Sequence, residues 1–210
     1  MQGMDADAWD ERYAASELVW SATPNQFVAV ECADLPPGTA VDLAAGEGRN
    51  AIWLAGLGWQ VTAVDFSQVA LDKGRRLAAE ALDDAARITW VRGDATTWQP
   101  GEPVDLVVLA YLQLPAGQRR AAVRCGFGSL RAGGTLVLVA HDSTNLTEGT
   151  GGPQDPSVLM TADEVLADLE GLDHRVVRAG RVAREVAPGD DHRGEPARTA
   201  WDCLVRVERV

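Results

Sequence analysis

Length, composition and charge exclude several classes of protein. The chain has 210 residues, 46% of them hydrophobic and 24% charged, which fits a single globular domain and excludes disordered and fibrous proteins. A formal net charge of −12 surrounds the molecule with a field that repels phosphate backbones, so a small-molecule ligand is favoured over nucleic acid.

The predicted elements between residues 39 and 140 alternate between short apolar runs and helical segments. That alternation is typical of a parallel sheet with crossover helices. Ser67 is the expected N-cap of the second helix, and a glycine turn at 131–134 ends the last helix of this region. The predicted strands are 40–43, 60–64, 89–92, 104–109 and 135–139; the predicted helices are 50–56, 67–84, a weak one at 94–100 that is equally a loop, and 116–130.

The pattern changes after Ala140. Residues 141–157 are polar and rich in Gly, Pro, Ser and Thr, which indicates a loop of the kind on which sites are built. The capping box TADE, with Thr161 as N-cap and Glu164 as its partner, predicts a helix over 161–169. Two strands, 174–186 and 200–208, follow without a helix between them and are therefore expected to be antiparallel.

A glycine turn follows the first strand and has two interpretations. Residues 41–51 read VDLAAGEGRNA, in which Gly46, Gly48 and Ala51 fit the G-x-G-x-x-A spacing of a dinucleotide-binding turn. The same stretch fits D-x-A-x-G-x-G, where Asp42 precedes the glycines and favours a cationic ligand without phosphate. The turn by itself leaves both interpretations open.

Acidic residues end the second and third predicted strands, at the edge of the sheet where α/β proteins bind ligands. Asp65 lies 19 residues after Gly46, about where a carboxylate reaches the hydroxyls of a ribose; the alternative is that it caps the next helix. Asp94 could accept from an exocyclic amine of adenine while the N–H of Ala95 serves a ring nitrogen. A plain turn aspartate is the alternative for Asp94.

Asp42 discriminates between the two interpretations of the glycine turn. An acid within a buried parallel strand is unfavourable unless a donor or a cation meets it, and a nearby pyrophosphate would make it worse. Hydrogen bonds from the turn to Asp42, or direct contact with a positively charged ligand, are both compatible with the residue.

These motifs resemble, in order and spacing, those of class I S-adenosylmethionine-dependent methyltransferases. They are VDLAAGEGRN, VTAVDFS, GDA, VDLVVLAY and LRAGGTLVL, and they cover nearly the whole chain. The resemblance implies a doubly wound, mostly parallel, seven-stranded α/β sheet of Rossmann-like topology with an antiparallel last strand. It also implies S-adenosyl-L-methionine as cofactor and S-adenosyl-L-homocysteine as product. We expect one domain, residues 1–210, with a helical lid segment at 1–38, a cofactor-binding core at 39–140 and a substrate side at 141–210.

The resemblance also assigns roles to residues. The turn from Ala44 to Gly48 would pass the methionine moiety, Asp65 would hold the ribose, and Asp94 with Ala95 would hold adenine. The usual first glycine of the turn is Ala44 here, whose Cβ is acceptable only with a negative φ, so cofactor affinity is expected to be altered but not lost. The predicted cofactor-binding residues are Trp9, Arg12, Tyr13, Trp20, Asp42, Ala44, Ala45, Gly46, Arg49, Asn50, Asp65, Phe66, Ser67, Asp94, Ala95, Ala110 and Tyr111.

The N-terminal segment WDERYAASELVWSATPNQF is unusually aromatic. Trp9 and Tyr13 are one helical turn apart and Trp20 follows. The segment is either a hydrophobic flap on the sheet or a lid over the cofactor, as it looks in the tellurite-resistance and thiopurine methyltransferase group. The run EGRNAIWLA is also similar to that group.

Four residues are candidates for the catalytic site. His192 and Arg193, with Arg198 before the last strand, are similar to a substrate-facing His-Arg pair of the tellurite-resistance enzymes, although charged hairpins commonly contain such residues. His141, at the end of the fifth strand, is the fourth candidate, against a plain loop histidine. Arginines at these positions would attract a soft anionic acceptor, whereas a histidine would serve as base for a nitrogen or alcohol acceptor.

Other classes remain as alternatives at this stage. An NAD-dependent oxidoreductase would use Gly46, Gly48 and Asp65, but no Tyr/Lys pair is evident, because Lys73 is the only lysine and lies far from a reaction centre. A non-catalytic binding protein on the same fold is the second alternative. Three cysteines without a C-x-x-C pair indicate reduced core thiols and no metal. The absence of a leader-like or 18-residue apolar segment favours a cytoplasmic protein without a membrane partner. We expect a monomer or a homodimer.

Overall fold

A twisted sheet forms the centre of the molecule. The computed structural model describes residues 10, 11, 13, 14, 23–186 and 198–210. Within these residues there are seven strands, and all seven predicted strands are present. Most of them begin or end at a residue other than the predicted one. The strands are β1 (Thr39–Leu43), β2 (Gln60–Asp65), β3 (Ile88–Arg92), β4 (Val104–Ala110), β5 (Leu130–His141), β6 (His174–Val186) and β7 (Arg198–Arg209).

The strand order identifies a doubly wound α/β sheet. The order is β3-β2-β1-β4-β5-β7-β6, so the chain leaves β1 in one direction and, after β3, returns to build outward from β4. The first five strands are parallel, and β7 runs antiparallel to both β5 and β6. The predicted fold class, including the antiparallel last strand, is confirmed. A crevice is expected beyond the carboxyl ends of β1 and β4, where the order reverses.

Helices cover both faces of this sheet, and their ends follow the capping residues. Ser67 Oγ accepts from Ala70 N at 3.1 Å, and Thr161 forms the predicted capping box with Glu164. Asn25 caps the helix that begins at Gln26 by accepting from Phe27 N. The helices are α1 (Gln26–Cys32), α2 (Arg49–Gly56), α3 (Gln68–Ala81), α4 (Ala116–Gly128), α5 (Asn145–Glu148) and α6 (Ala162–Asp168), with 3-10 turns at Ala85–Arg87 and Pro156–Val158.

Three local predictions need correction or completion. The weak helix at 94–100 is absent, and turns occupy that segment. The strand expected at 135–139 begins at Leu130, because Leu130 already pairs with Val104 of β4; residues 131–134 form an irregularity before the next pair, Leu106 with Thr135, and Gly133 there has a φ of 79°. A Cβ at Gly134 would lie 3.0 Å from Arg131 O and 3.1 Å from Val104 O, so this close approach needs glycine. The loop after β5 contains α5 and a 3-10 turn.

Two apolar cores lie on opposite faces of the sheet. Leu109 and Leu138 face the core beneath α4 and α6, whereas Leu106 and Val139 face the core beneath α1 and α2. The three cysteines are buried and free, as expected of core thiols. None of the described helices is long and apolar enough to cross a membrane. The two cores hold the strand ends in place, and the polar residues of the site lie at those ends.

Candidate active site

The glycine turn joins β1 to α2 through three residues in the left-handed region. Gly46 and Gly48 have φ of 56° and 75°, and Ala44 has φ of 63°. The negative φ on which the sequence interpretation of Ala44 depended is therefore wrong. Ala45 N donates to Val64 O at 2.9 Å, which ties the turn to β2 and holds Ala44 in this conformation. An alanine at positive φ is strained by about 1–2 kcal/mol, where glycine would not be.

Trp90, on β3, packs beneath the turn and explains why Gly48 is required. A Cβ at Gly48 would lie 2.3 Å from Trp90 Cη2, and one at Gly74 of α3 would lie 2.5 Å from the same atom. The indole thus spaces the turn from α3. Nothing in the sequence pattern singled out Trp90.

Asp42 is buried beneath the turn. Its Oδ2 accepts from Ala51 N in the first turn of α2 at 3.1 Å, and its Oδ1 is buried with no hydrogen-bond partner among the described residues. Burial raises the pKa of Asp42 to about 7, although the Ala51 N–H and the Arg49 charge act in the opposite direction. Asp42 therefore anchors α2 to the turn, and direct contact with a ligand stays a prediction.

Asp65, at the end of β2, is held by backbone N–H groups on both oxygens. Gly46 N donates to Oδ2 at 2.8 Å and Ser67 N donates to Oδ1 at 2.9 Å. Burial raises the pKa of Asp65 against these hydrogen bonds. Each carboxylate oxygen has a second lone pair, so two hydroxyl donors of a ribose could still be accepted. Ser67, not Asp65, supplies the side-chain cap of α3.

The residues predicted to hold adenine follow β2 and β3. Asp94 Oδ1 accepts from Thr96 N and Thr96 Oγ1, both at 2.8 Å, so this oxygen belongs to a turn. Ala95 is buried and Phe66 is partly buried. Adenine binding by Asp94 would therefore use its other oxygen, and the role stays a prediction.

The described part of the N-terminal segment reaches the cofactor side of the sheet. Asp10 accepts hydrogen bonds from Ser67 Oγ and from Val69 N at the start of α3. The backbone oxygen of Tyr13 accepts from Lys73, which also lies 3.4 Å from Glu47 Oε1 of the turn. Tyr13 itself is buried. Trp9, Arg12 and Trp20 lie outside the described residues.

Arg49 and Asn50 begin α2 directly after the turn. The Arg49 guanidinium carbon lies 5.9 Å from the centre of the Tyr111 ring, so Arg49 faces from the turn towards the end of β4. Burial lowers the pKa of Arg49, with Tyr111 and Asp42 opposing that effect. Asn50 Oδ1 accepts from Asn25 N at 2.9 Å. The Asn50 side chain therefore fixes the start of α1.

Tyr111 extends the site from the end of β4 across to β7. Its φ of 59° is unusual for a tyrosine, and Tyr111 N donates to Val139 O at 2.7 Å. The strained backbone directs the phenol towards Asp202, whose Oδ2 accepts from Tyr111 Oη at 2.8 Å. Burial, with the Asp202 charge, raises the pKa of Tyr111. Ala110, the preceding residue, is partly buried.

Asp202 is a fully buried carboxylate surrounded by side-chain donors. Arg184 Nε donates to its Oδ2 at 2.7 Å, and His141 Nδ1 lies 3.3 Å from its Oδ1. Burial alone would raise the pKa of Asp202, but the interactions with His141, Arg184 and Tyr111 outweigh it and hold that pKa below its usual value. We call Tyr111, His141, Arg184 and Asp202 the Asp202 cluster.

His141 is the one predicted catalytic residue that the described structure places in this cluster. Its ring centre is 4.8 Å from that of Tyr111, and its backbone N–H donates to Gln113 Oε1 at 3.1 Å. Gly152, from the loop after β5, packs on the ring, since a Cβ there would lie 3.0 Å from His141 Cε1.

The described structure does not place the other three predicted catalytic residues in the Asp202 cluster. Arg198 is the first residue of β7, four residues before Asp202; it is exposed and pairs with Val186. His192 and Arg193 lie outside the described residues. Sequence reasoning missed Arg184 and Asp202. An acid within the apolar strand AWDCLVRV is the same signal that singled out Asp42, and it could have found Asp202.

The residues at the carboxyl edge fit S-adenosylmethionine. The turn presents backbone from two glycines, Asp65 keeps acceptor capacity directly beside the turn, and Asp42 Oδ1 is a buried acceptor without a partner among the described residues. No group of three His, Cys, Asp or Glu suited to a metal occurs in the described ranges. Fold and site together define a methyltransferase of the doubly wound α/β type.

Comparison with known proteins places the chain more narrowly. Residues 40–134 match the family model described as a methyltransferase domain. The chain thus carries a methyltransferase domain with S-adenosylmethionine as methyl donor, and it is similar to class I S-adenosylmethionine-dependent methyltransferases, including relatives that fit the tellurite-resistance and thiopurine methyltransferase group. The NAD-dependent alternative finds no support in these comparisons.

Three similar proteins illustrate this position. The chain is 25% identical over 174 residues to thiocyanate methyltransferase 1 of Brassica oleracea, covering 79% of this chain and 74% of that protein. TehB from Haemophilus influenzae has a TM-score of 0.71 at 17% identity, over 98% of this chain and 67% of that one. The N-methyltransferase NodS from Bradyrhizobium japonicum WM9, in complex with S-adenosyl-L-homocysteine, has a TM-score of 0.70 at 18% identity, over 95% and 96%. The two structures share the fold with this chain.

Proposed function

We propose that this enzyme transfers a methyl group to a small-molecule acceptor, a thiol, a chalcogen oxyanion or a heterocycle, by in-line displacement. The observation that carries the proposal is the Asp202 cluster, which joins the ends of β4, β5, β6 and β7 beside the glycine turn. Polar side chains with apolar walls suit a small acceptor. The runner-up acceptor class, nucleic acid, is disfavoured by the net charge of −12.

The cofactor would be held by the half of the edge formed by β1, β2 and β3. Asp65 would accept from the ribose hydroxyls, Asp94 and Ala95 would contact adenine, and Phe66 would pack on its face. The turn from Ala44 would contact the methionine moiety. When bound, the sulfonium supplies the methyl group together with its own leaving group. The remaining task of the protein is to align the acceptor and to exclude water.

The acceptor would lie between the turn and the Asp202 cluster. Tyr111 would form a mostly apolar wall there, whereas Leu112, the next residue, packs against the core beneath α4 on the other face of the sheet. Arg184 places positive charge at this wall, and His141 is available as a base. His192, Arg193 and Arg198 remain proposed substrate contacts.

The N-terminal segment would act as a lid over the cofactor within a single-domain enzyme. Its contacts run from Asp10 to the start of α3 and from Tyr13 to Lys73, and Lys73 in turn contacts Glu47 of the turn. Trp9, Arg12 and Trp20 would complete this lid. The proposed division is residues 1–38 for the lid, 39–140 for the cofactor core and 141–210 for the substrate side.

Two measurements test the proposed function. Calorimetry should show binding of S-adenosylmethionine and of S-adenosylhomocysteine to the full chain; absence of both would refute it. Labelled S-adenosylmethionine offered with a panel of thiols, selenite, tellurite and heterocyclic amines should yield at least one methylated product. Binding without transfer to any member would favour a non-catalytic binding protein.

A further inference from the structure

Three side chains from three different strand ends meet one buried carboxylate. Tyr111 Oη and Arg184 Nε both donate to Asp202 Oδ2, at 2.8 and 2.7 Å. Oδ1 is left to face His141 Nδ1 at 3.3 Å. Both Oδ1 of Asp202 and Nδ1 of His141 are buried, and neither has a hydrogen bond of standard geometry among the described residues, so their 3.3 Å approach is the polar contact that remains to them there. Tyr111 and Arg184 share Oδ2, so the approach of Oδ1 to His141 determines which ring nitrogen of His141 carries the proton.

The carboxylate of Asp202 selects one tautomer of His141. An ionised carboxylate can only accept hydrogen bonds, and two donors keep Asp202 ionised. His141 Nδ1 must then carry its proton to face Oδ1, which leaves Nε2 of the neutral ring unprotonated. The side chain of His141 keeps 14% of its surface exposed, and because Nδ1 is buried, that exposed part lies away from Asp202.

Polar and charged groups surround the pair of rings formed by His141 and Tyr111. The Tyr111 ring, directly after β4, lies 4.8 Å from the His141 ring and is tilted to it, and Gln113 accepts from the His141 backbone. The guanidinium carbons of Arg49 and Arg184 lie 5.9 and 5.8 Å from the Tyr111 ring centre. Positive charge thus lies around the Tyr111 ring, and the negative charge of Asp202 lies at the Nδ1 side of His141.

We propose that Asp202 is a positioning residue that holds His141 in the Nδ1–H tautomer, so that Nε2 takes a proton from a neutral acceptor. The acceptor class that this base serves is a molecule with an S–H or heterocyclic N–H group, whereas a preformed anion would be methylated without it. This inference rests on the proposed function. The acceptor X–H gives its proton to Nε2, and its electron pair forms the X–C bond as the carbon–sulfur bond breaks, with that electron pair remaining on sulfur. The imidazolium then releases the proton to solvent.

The substitution Asp202→Asn tests the tautomer directly because it changes charge but not shape. Tyr111 and Arg184 both donate to the Oδ2 position, so the amide oxygen of asparagine will occupy it. The amide NH2 then faces His141 Nδ1 and donates to it, which forces the proton onto Nε2. A carboxylate-to-amide change that selects the wrong tautomer in this way removes most of the base catalysis.

Long-range proton–nitrogen NMR measures the tautomer of His141 independently of enzymatic activity. The sample is the full chain, labelled at histidine and without ligand. We expect His141 in the Nδ1–H tautomer in the wild type and in the Nε2–H tautomer in Asp202→Asn. His174, whose Nδ1 lies 2.7 Å from Leu172 O, serves as an internal reference that should not change. Asp168→Asn is the matched control, because Asp168 is also fully buried and binds Arg119 and Arg120 away from any histidine. An Nε2–H tautomer in the wild type, or an unchanged tautomer in Asp202→Asn, overturns the proposal.

Initial rates with three acceptors supply the second readout. The probes are 2-mercaptoethanol and benzimidazole, which carry a proton at pH 7, and thiocyanate, which does not. His141→Gln and Asp202→Asn should lower the rates with the first two by about 100- to 10,000-fold and leave the rate with thiocyanate within a few-fold. Equal losses on all three probes, or no wild-type transfer to either proton-bearing probe, overturn the inference.

Failure of the proposed function is recognised separately. It shows as absence of S-adenosylmethionine binding in calorimetry, whereas both variants should bind the cofactor within about twofold of the wild type if only base catalysis is lost. Circular dichroism melting checks that each variant is folded. If Asp202→Asn does not fold, His141→Gln carries the acceptor comparison and the wild-type tautomer still decides the positioning role.

Discussion

Two halves of the same sheet edge satisfy their buried acids in different ways. In the cofactor half, β1 to β3, Asp42 and Asp65 accept hydrogen bonds from backbone N–H groups. In the acceptor half, β4 to β7, Asp202 interacts with the side chains of Tyr111, Arg184 and His141. The backbone donors belong to segments close to these acids in the sequence. The side-chain donors reach Asp202 only after strands that are distant in the sequence have packed side by side.

The difference has an electrostatic consequence. Backbone amides bring no net charge, so burial dominates at Asp42 and raises its pKa to about 7. Arg184 brings a full charge to Asp202, and with the two other donors it outweighs burial and lowers the pKa of Asp202. The same residue type is thus close to neutral in one half and firmly ionised in the other. The acceptor half therefore provides a fixed negative charge behind His141.

Removing the carboxylate of the acceptor half should have the largest effect. Asp202→Ala leaves Arg184 without its buried counter-charge and Tyr111 without its acceptor, so we expect a loss of about 3–5 kcal/mol in the free energy of unfolding. Urea denaturation at pH 7 measures it. Asp72→Ala, at a half-exposed aspartate that pairs with Arg75, is the control and should change stability by less than about 1 kcal/mol. A loss at Asp202 as small as the control's would show that the side-chain donors contribute little.

Asp42 should make the protein less stable as the pH rises. The folded state keeps a proton on Asp42 up to about pH 7, while the unfolded chain releases it near 3.8. Stability from this group is therefore greatest below the lower value and falls by about 1.4 kcal/mol per pH unit between them. Asp42→Asn removes this slope, so its stability relative to the wild type should improve by roughly 3 kcal/mol between pH 4 and pH 7.

Denaturant titrations of wild type and Asp42→Asn at several pH values measure this change. Asp72→Asn is again the exposed control, and its difference from the wild type should stay nearly constant with pH. Asp202 has the opposite effect on stability, because its pKa is lower in the folded state than in the unfolded state. It stabilises the protein at a pH above its unfolded-state pKa, and that stabilisation is lost on acidification. A pH-independent difference between wild type and Asp42→Asn would contradict the neutral state of Asp42.

Asp65→Ala should weaken binding of S-adenosylmethionine and S-adenosylhomocysteine by about 100-fold, or nearly 3 kcal/mol. The variant removes the proposed ribose acceptor and leaves the N–H groups of Gly46 and Ser67 without theirs. Calorimetry gives both dissociation constants. Asp83→Ala, at an exposed aspartate beyond α3, is the control for lost negative charge. Affinities within threefold of the wild type would remove Asp65 from the cofactor site.

The smallest expected effect tests the strain in the turn. Ala44→Gly should raise the free energy of unfolding by about 1 kcal/mol, because glycine adopts the observed φ of 63° without the penalty that alanine meets. Ala45→Gly is the matched control one residue on, outside the positive-φ region, and should lower stability by about 0.5–1 kcal/mol. Thermal melts compare the two. A lower melting temperature for Ala44→Gly would contradict the strained alanine.

The sequence predicted most of the fold because its signals are local. Strand β6 was predicted with both ends right, and the caps Ser67 and Thr161 are where the pattern placed them. The start of β5 was missed because residues 131–134 read as a turn until they pack against β4. The sign of φ at Ala44 was missed for a similar reason, since contact with β2 decides it.

By itself, the sequence determined the sheet, the glycine turn and the acids of the cofactor half, because their partners lie within about 20 residues and belong to the backbone. Only the tertiary structure decided the acceptor half. Strand β7 inserts between β5 and β6, which sets Asp202 opposite His141 on one side and Val182 on the other. Tyr111 reaches Asp202 across 91 residues of chain, and no local pattern records a contact that exists only once four strands share an edge.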